Sequence, residues 1–239
     1  MSRAGGKHGF LLALCLLGTL LFSALGIWQL ERRAWKLDLI AKVDARVDAA
    51  PVPLPPASAW PTFDARAEEY RRVRVRGTFL HERETLVDAL TERGPGAWVI
   101  TPLRTADGTI LINRGFVPLD RRAPASRAEG QLGGEVTVTG LLRPTEPNGR
   151  FLRPNKPSEE RWYSRDVAAI AEARGLGRVA PFFIDADATA NPGGLPIGGM
   201  TVVQFRNTHL IYALTWFGLA GLCIAGLVLL RRGVAEAEA

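Results

Sequence analysis

"LIYALTWFGLAGLCIAGLVLL", Leu210 to Leu230, is a run of 21 residues without a charged side chain. A helix rises 1.5 Å per residue, so this run makes a helix roughly 30 Å long, about the hydrocarbon thickness of a bilayer. A surface helix of a soluble domain keeps one charged face, whereas this run is uncharged all round. A second run, "GFLLALCLLGTLLFSALGIWQL" from Gly9 to Leu30, has 22 uncharged residues and meets the same test. Two membrane spans frame the chain.

The first span follows Arg3 and Lys7, a basic start shared with secretory signals, but it exceeds the usual length of a signal's apolar region. It also flows into "GIWQLERRAWKLDLI", where Leu30, Ala34, Leu37, Ile40 and Ala41 recur at helical spacing. The expectation is an uncleaved anchor with a helical extension over 31–50. The proline-rich "AAPVPLPPASAWP" then reads as an extended linker, 51–61. Arg3, Lys7, Arg231 and Arg232 favour cytoplasmic ends. Arg32, Arg33 and Lys36 lie beyond the first span, but long domains translocate largely regardless of charge. Residues 1–8 and 231–239 are thus expected in the cytoplasm and 62–209 in the periplasm or its equivalent.

The only cysteines, Cys15 and Cys223, sit in the spans, so the intervening domain has no disulfide, CxxC or haem-attachment motif. The net charge of +6 is mild, and with this topology nucleic acid is not an expected partner. His8, His81 and His209 share no local metal spacing. There is no G-x-S-x-G elbow or glycine-rich phosphate loop; "NPGGLPIGG" reads as a turn. A self-contained enzyme is not expected. Nine residues, Arg231 to Ala239, follow the second span, too few for an output domain.

Between the spans the pattern is β. "YRRVRVRGTFL" alternates, with Arg72, Arg74 and Arg76 on one face and Val73 and Val75 on the other. The arginine face is either solvated or turned to lipid headgroups, carboxylates or an acidic partner. "ETLVDAL", "AWVITPLRT", "TILINRGFVPL", "EVTVTGLLRP", "APFFIDAD" and "MTVVQFRN" are further strands, with Asp107-Gly108 as a hairpin turn. "SRDVAAIAEARG" is a helix capped by Ser164 or Asp166 and ended by Gly175. The fold class expected is an α+β membrane protein: two transmembrane helices flanking a β-rich antiparallel barrel or sandwich. Asn113, Arg114 and Gly115 form a strand-end turn or present a guanidinium at a contact surface.

"RNTHLIYALTWF", Arg206 to Phe217, enters the second span. Asn207 and Thr208 read as helix caps. His209, Tyr212 and Trp216 recur at i, i+3 and i+7, and Tyr and Trp suit the membrane interface. Trp28 and Gln29 leave the first span at similar depth, so Gln29, Asn207 and His209 can form a polar cluster. His209 is either an interfacial histidine or an axial haem ligand, with haem along the Tyr212 and Trp216 face. Gly221 and Ala225 could admit another helix.

"GIWQLERRAWK", "INRGFVP", "WYSRD" from Trp162, "NPGGLPIGG" and "RNTHLIYALTWFGLA" together resemble the surfeit-locus SURF family of cytochrome oxidase assembly factors. The similarity runs from about Gly26 to Ala220. It implies a bacterial inner-membrane protein that helps build haem–copper cytochrome c oxidase, associated with haem a delivery to the catalytic subunit. That subunit, haem a synthase and the bilayer are the partners implied. On the resemblance His209 is the residue to touch haem; Trp28, Gln29, Asn207, Tyr212 and Trp216 fall in the same blocks, and Arg114 lies in another. The alternative is a scaffold that holds assembly intermediates without cofactor.

Overall fold

The computed structural model describes residues 3–150, 152–203, 205 and 207–237. They form two units, one of residues 1–42 with 204–239 and one of residues 43–203. The first unit is a helix pair. Helix α1 (Arg3–Val47) and helix α3 (His209–Ala237) are both long and apolar enough to cross a membrane. Helix α1 is continuous through Leu30 and Ala41, so no break separates the span from its extension.

The second unit is built on seven strands: β1 (Val52–Pro53), β2 (Arg72–Phe79), β3 (Thr85–Thr91), β4 (Gly94–Arg104), β5 (Thr109–Pro118), β6 (Glu135–Pro144) and β7 (Val179–Ala186). Their order is β1-β2-β6-β7-β5-β4-β3, and β2 also pairs with β4. That extra pairing, Thr78 with Arg104 and Phe79 with Leu103, closes β2, β6, β7, β5 and β4 into a five-stranded barrel. β5 runs parallel to β7 and β1 parallel to β2; the other pairs are antiparallel.

Closure follows from the alternation in β2. Val73, Val75 and Phe79 are buried while Arg74 and Arg76 are exposed, so one face fills the barrel and the other meets solvent. Arg72 is half-buried, 4.0 Å from Asp187. Gly77 sits where β2 crosses from β6 to β4. A Cβ there would lie 2.3 Å from the Arg104 carbonyl, so only glycine permits the approach.

Two cores share the barrel wall. Inside lie Val73, Leu103, Ile110, Ile112, Phe182 and Ile184. Outside, helix α2 (Val167–Ala173) packs Val167 and Ile170 onto Trp162, Leu111 and Phe183. The neighbours Phe182 and Phe183 point to opposite faces, as the strand period requires. Asp166 caps α2 by accepting from Ala169 N at 3.2 Å; Ser164 instead donates to the Glu146 carbonyl. Gly175, at φ +57°, ends the helix, with Leu176 N bonded to the Ala171 carbonyl.

Two expectations need correction. The proline-rich segment is not a bare linker. Val52 and Pro53 add β1 to the sheet, and Trp60 plugs the barrel end where β5 and β7 begin, with its indole N–H on the Pro55 carbonyl and its edge against Phe182. "MTVVQFRN" forms no strand among its described residues. Thr201 hydroxyl donates to Asp185 instead, Val202 is 68% exposed, and Gln204 and Arg206 lie outside the described residues. None of its described residues is fully buried, so they offer no buried face to drive pairing.

Candidate functional site

Helices α1 and α3 pack antiparallel along one seam. His8 Nε2 meets the Leu230 carbonyl at 3.1 Å at one end, and Gln29 meets His209 at the other. Between them Phe22 stacks on Trp216, centroids 5.7 Å apart. Glycines make the approach close. A Cβ at Gly18 would lie 2.8 Å from Cys223 Sγ, one at Gly226 3.2 Å from Cys15 Sγ, and one at Gly26 2.6 Å from the Phe217 ring. Each cysteine thiol therefore fills a notch left by a glycine on the opposite helix. Gaps of three and four residues along His209, Ala213, Trp216, Ala220 and Cys223 keep this seam facing α1, with Ala213 and Ala220 buried. Gly221 and Ala225 are exposed and lie off it, so the close approach uses other small residues than those two.

At the His209 end, Nδ1 stands 2.7 Å from Gln29 Oε1. An amide oxygen only accepts, so Nδ1 is the donor, and in the neutral ring Nε2 then keeps its lone pair. That is the arrangement of a histidine ready to bind a metal: one nitrogen oriented by a hydrogen bond, the other basic. His209 could therefore hold a metal through Nε2 as a single ligand.

The other candidates are placed differently. Trp216 is on the seam, turned to Phe22. Tyr212 is 55% exposed and Trp28 53% exposed, so neither is packed into the seam. Asn207 Oδ1 is buried without a hydrogen-bond partner among the described residues, so it does not cap α3. The Thr208 main-chain carbonyl accepts from Ile211 N and Tyr212 N and begins the helix. Asn207 and His209 are close in sequence, yet among the described residues it is Gln29 that bonds the imidazole.

Arg114 corrects an expectation. It lies within β5, 2% exposed, with its guanidinium over the Phe79 ring at 4.7 Å, so it presents nothing to an open contact surface. Beside it in sequence, Asn113 donates to Asp185 at 2.7 Å. Asp185, 3% exposed, also takes Arg143 at 3.1 Å, Arg165 at 3.1 Å and the Thr201 hydroxyl at 3.0 Å. A second internal pair joins Arg127 to Glu84. Sequence reading missed both networks. Asp185 did carry a signal, an acid embedded in "APFFIDAD"; Arg127 carried none. His81 is half-buried, with Nε2 on the Leu132 carbonyl at 3.0 Å.

The SURF1 family profile matches residues 16–221. Surfeit locus protein 1 of Homo sapiens is 43% identical over 214 residues, covering 82% of this chain and 69% of the relative. The protein of the same name from Rattus norvegicus is 43% identical over 212 residues, 82% of this chain and 67% of its own. A SURF1-like protein of Monosiga brevicollis is 39% identical over 244 residues, 96% of this chain and 89% of its own.

Proposed function

The chain belongs to the SURF1 family, and from that premise we propose that it is an assembly factor for haem–copper cytochrome c oxidase, aiding haem a insertion into the catalytic subunit. The observation that supports haem handling is the Gln29–His209 hydrogen bond, which leaves Nε2 available to iron. One histidine gives one strong ligand. A five-coordinate haem, or one whose sixth ligand comes from the acceptor, is what a transient handover needs. On this reading haem a is cargo, haem a synthase the donor, and the protein a carrier rather than an enzyme. Its setting is a bacterial inner membrane, with both ends cytoplasmic and the barrel in the periplasm.

The test is His209→Ala, co-expressed with haem a synthase. Copurified haem a absorbance should fall sharply and oxidase activity with it. Haem content and oxidase activity equal to wild type would sink the reading. A scaffold without cofactor is the second reading. It is favoured by Trp216, which is spent on stacking against Phe22 rather than left open to a porphyrin. A visible spectrum of the purified wild-type protein separates the two.

A further inference from the structure

The inward face of β5 carries a charge. Ile110 and Ile112 point into the interior, and Arg114 stands at the next inward position of the strand. This is the barrel end opposite the Trp60 plug. The guanidinium Nη2 donates to the Gly130 carbonyl and, at 2.8 Å, to Asn191 Oδ1, while Nη1 is buried and has no hydrogen-bond partner among the described residues.

Both of these partners are neutral. Among the described residues no carboxylate comes within ion-pair distance of Arg114. Glu84 is held by Arg127 through two hydrogen bonds. Asp187 accepts from Thr189 N at 3.0 Å and faces Arg72. Burial, assisted by the Arg127 charge and opposed by Glu84, lowers the Arg114 pKa to about 10. A guanidinium still ionised at neutral pH, desolvated and without its own counter-ion, is unfavourable unless something completes it.

What adjoins it is a cavity of about 110 Å³. Phe79, Ile112, Val136 and Val138 give it apolar walls, and Arg114 and Asn191 border it, as does Asp187. The side chains of Thr137, Thr139 and Thr189 also line it, so the wall is part polar and part apolar and suits a ligand with one polar end and one apolar end. Apolar cavities of about 150 Å³ accept benzene, so the space here suits a molecule of about five or six heavy atoms.

We propose that this barrel end binds a short aliphatic carboxylate, with its oxygens on Arg114 Nη1 and its carbons against Phe79, Ile112 and Val138. The carboxylate supplies the missing counter-charge through a charge-assisted hydrogen bond, and the alkyl chain fills the apolar space. It comes either as a free acid or as the carboxylate arm of a larger molecule; the tetrapyrrole form of that arm rests on the haem reading above.

The experiment uses the full chain in detergent with carboxyl-13C butyrate, followed by NMR line broadening and by the melting temperature. Saturable binding with Kd of about 1 mM or tighter and a rise in Tm are expected. Neutral butyramide should bind at least tenfold more weakly. Arg114→Gln should lose butyrate binding tenfold or more. Because that variant can also perturb folding, Val138→Phe, which fills the cavity and keeps Arg114, should lose it too. No saturation by about 20 mM, equal binding of butyramide, or wild-type affinity in both variants overturns the proposal. Displacement of butyrate by mesoporphyrin but not by its dimethyl ester assigns the site to a tetrapyrrole's carboxylate arm; no displacement assigns it to a free acid. His209→Ala should leave butyrate binding unchanged, so this site and the haem reading fail separately.

Discussion

His209 Nδ1 and Gln29 Oε1 lie 2.7 Å apart, although 180 residues separate them in the chain. The bond fixes which imidazole nitrogen is basic and how the ring is turned. If Nε2 binds haem iron, Gln29→Leu should weaken haem binding by about 10–100-fold, the usual cost of losing a group that orients a ligating histidine. Gln29→Glu, which still accepts from Nδ1, should retain binding. Titration of both variants with haem, followed by optical spectroscopy, measures this; wild-type affinity in Gln29→Leu would mean the amide does not orient the ring.

The reciprocal fit of Cys15 with Gly226 and Gly18 with Cys223 makes the helix pairing testable by chemistry. A Cβ at position 18 stands 3.9 Å from Cys223 Cβ, within the separation of about 3.5–4.5 Å that a disulfide spans. Gly18→Cys in a Cys15→Ser background should therefore cross-link to Cys223 under mild oxidation, seen as a mobility shift on non-reducing gels. Gly221→Cys in a Cys223→Ser background, which keeps Cys15 on α1 but places the new thiol off the seam, should give no intrachain product. Comparable cross-linking at both positions would refute the seam.

The parts of the fold legible in the sequence are those with one wet face. The Arg72, Arg74 and Arg76 alternation in β2 reported its inward residues directly, because solvent lies on the other side. In β5 both faces are covered, by the barrel interior and by α2 with its neighbouring loops, so alternation says nothing about where Arg114 points. Val52–Pro53 is too short, and too rich in proline, to show a period. In the helix pair, spacing placed His209, Tyr212 and Trp216 on one side. The seam follows His209, Ala213 and Trp216 instead, which leaves Tyr212 just off its edge. Which flank of a broad helical face meets its partner depends on the notches Gly18 and Gly26 provide on the other helix, and no local pattern in α3 contains that.

Asp185 is the acceptor on which Asn113, Arg143, Arg165 and Thr201 converge. Asp185→Ala should leave two largely buried guanidiniums short of a counter-charge. Removing one partner of a buried ion pair costs about 3–5 kcal/mol. Asp185→Asn keeps the shape and one acceptor oxygen but loses the charge and turns the second acceptor into a donor, and should fall between this and wild type. Thermal melts of the three proteins would show the order, and a small loss in Asp185→Ala would mean Glu146 and Glu69 already neutralise the arginines.

The acid limb of stability should run through Glu146. Burial raises its carboxyl pKa, but the Arg165 hydrogen bonds and charge outweigh this and hold the group below the ordinary glutamate value of 4.5. The folded chain therefore binds this proton less readily than the unfolded chain does. Its contribution is present above about pH 4.5 and is lost as pH falls through the depressed folded value. Glu160 is lowered in the same sense, chiefly by its hydrogen bond with Arg174, but its side chain is 63% exposed and solvent screening leaves it little weight. Glu146→Gln should thus be less stable than wild type near neutrality, with the gap narrowing between about pH 5 and pH 3 as the wild-type carboxylate takes up its proton. Melting temperatures of both proteins across that range provide the check. A gap that stayed constant with pH would mean Glu146 acts through packing and hydrogen-bond shape rather than charge, because only the charge is removed by protonation.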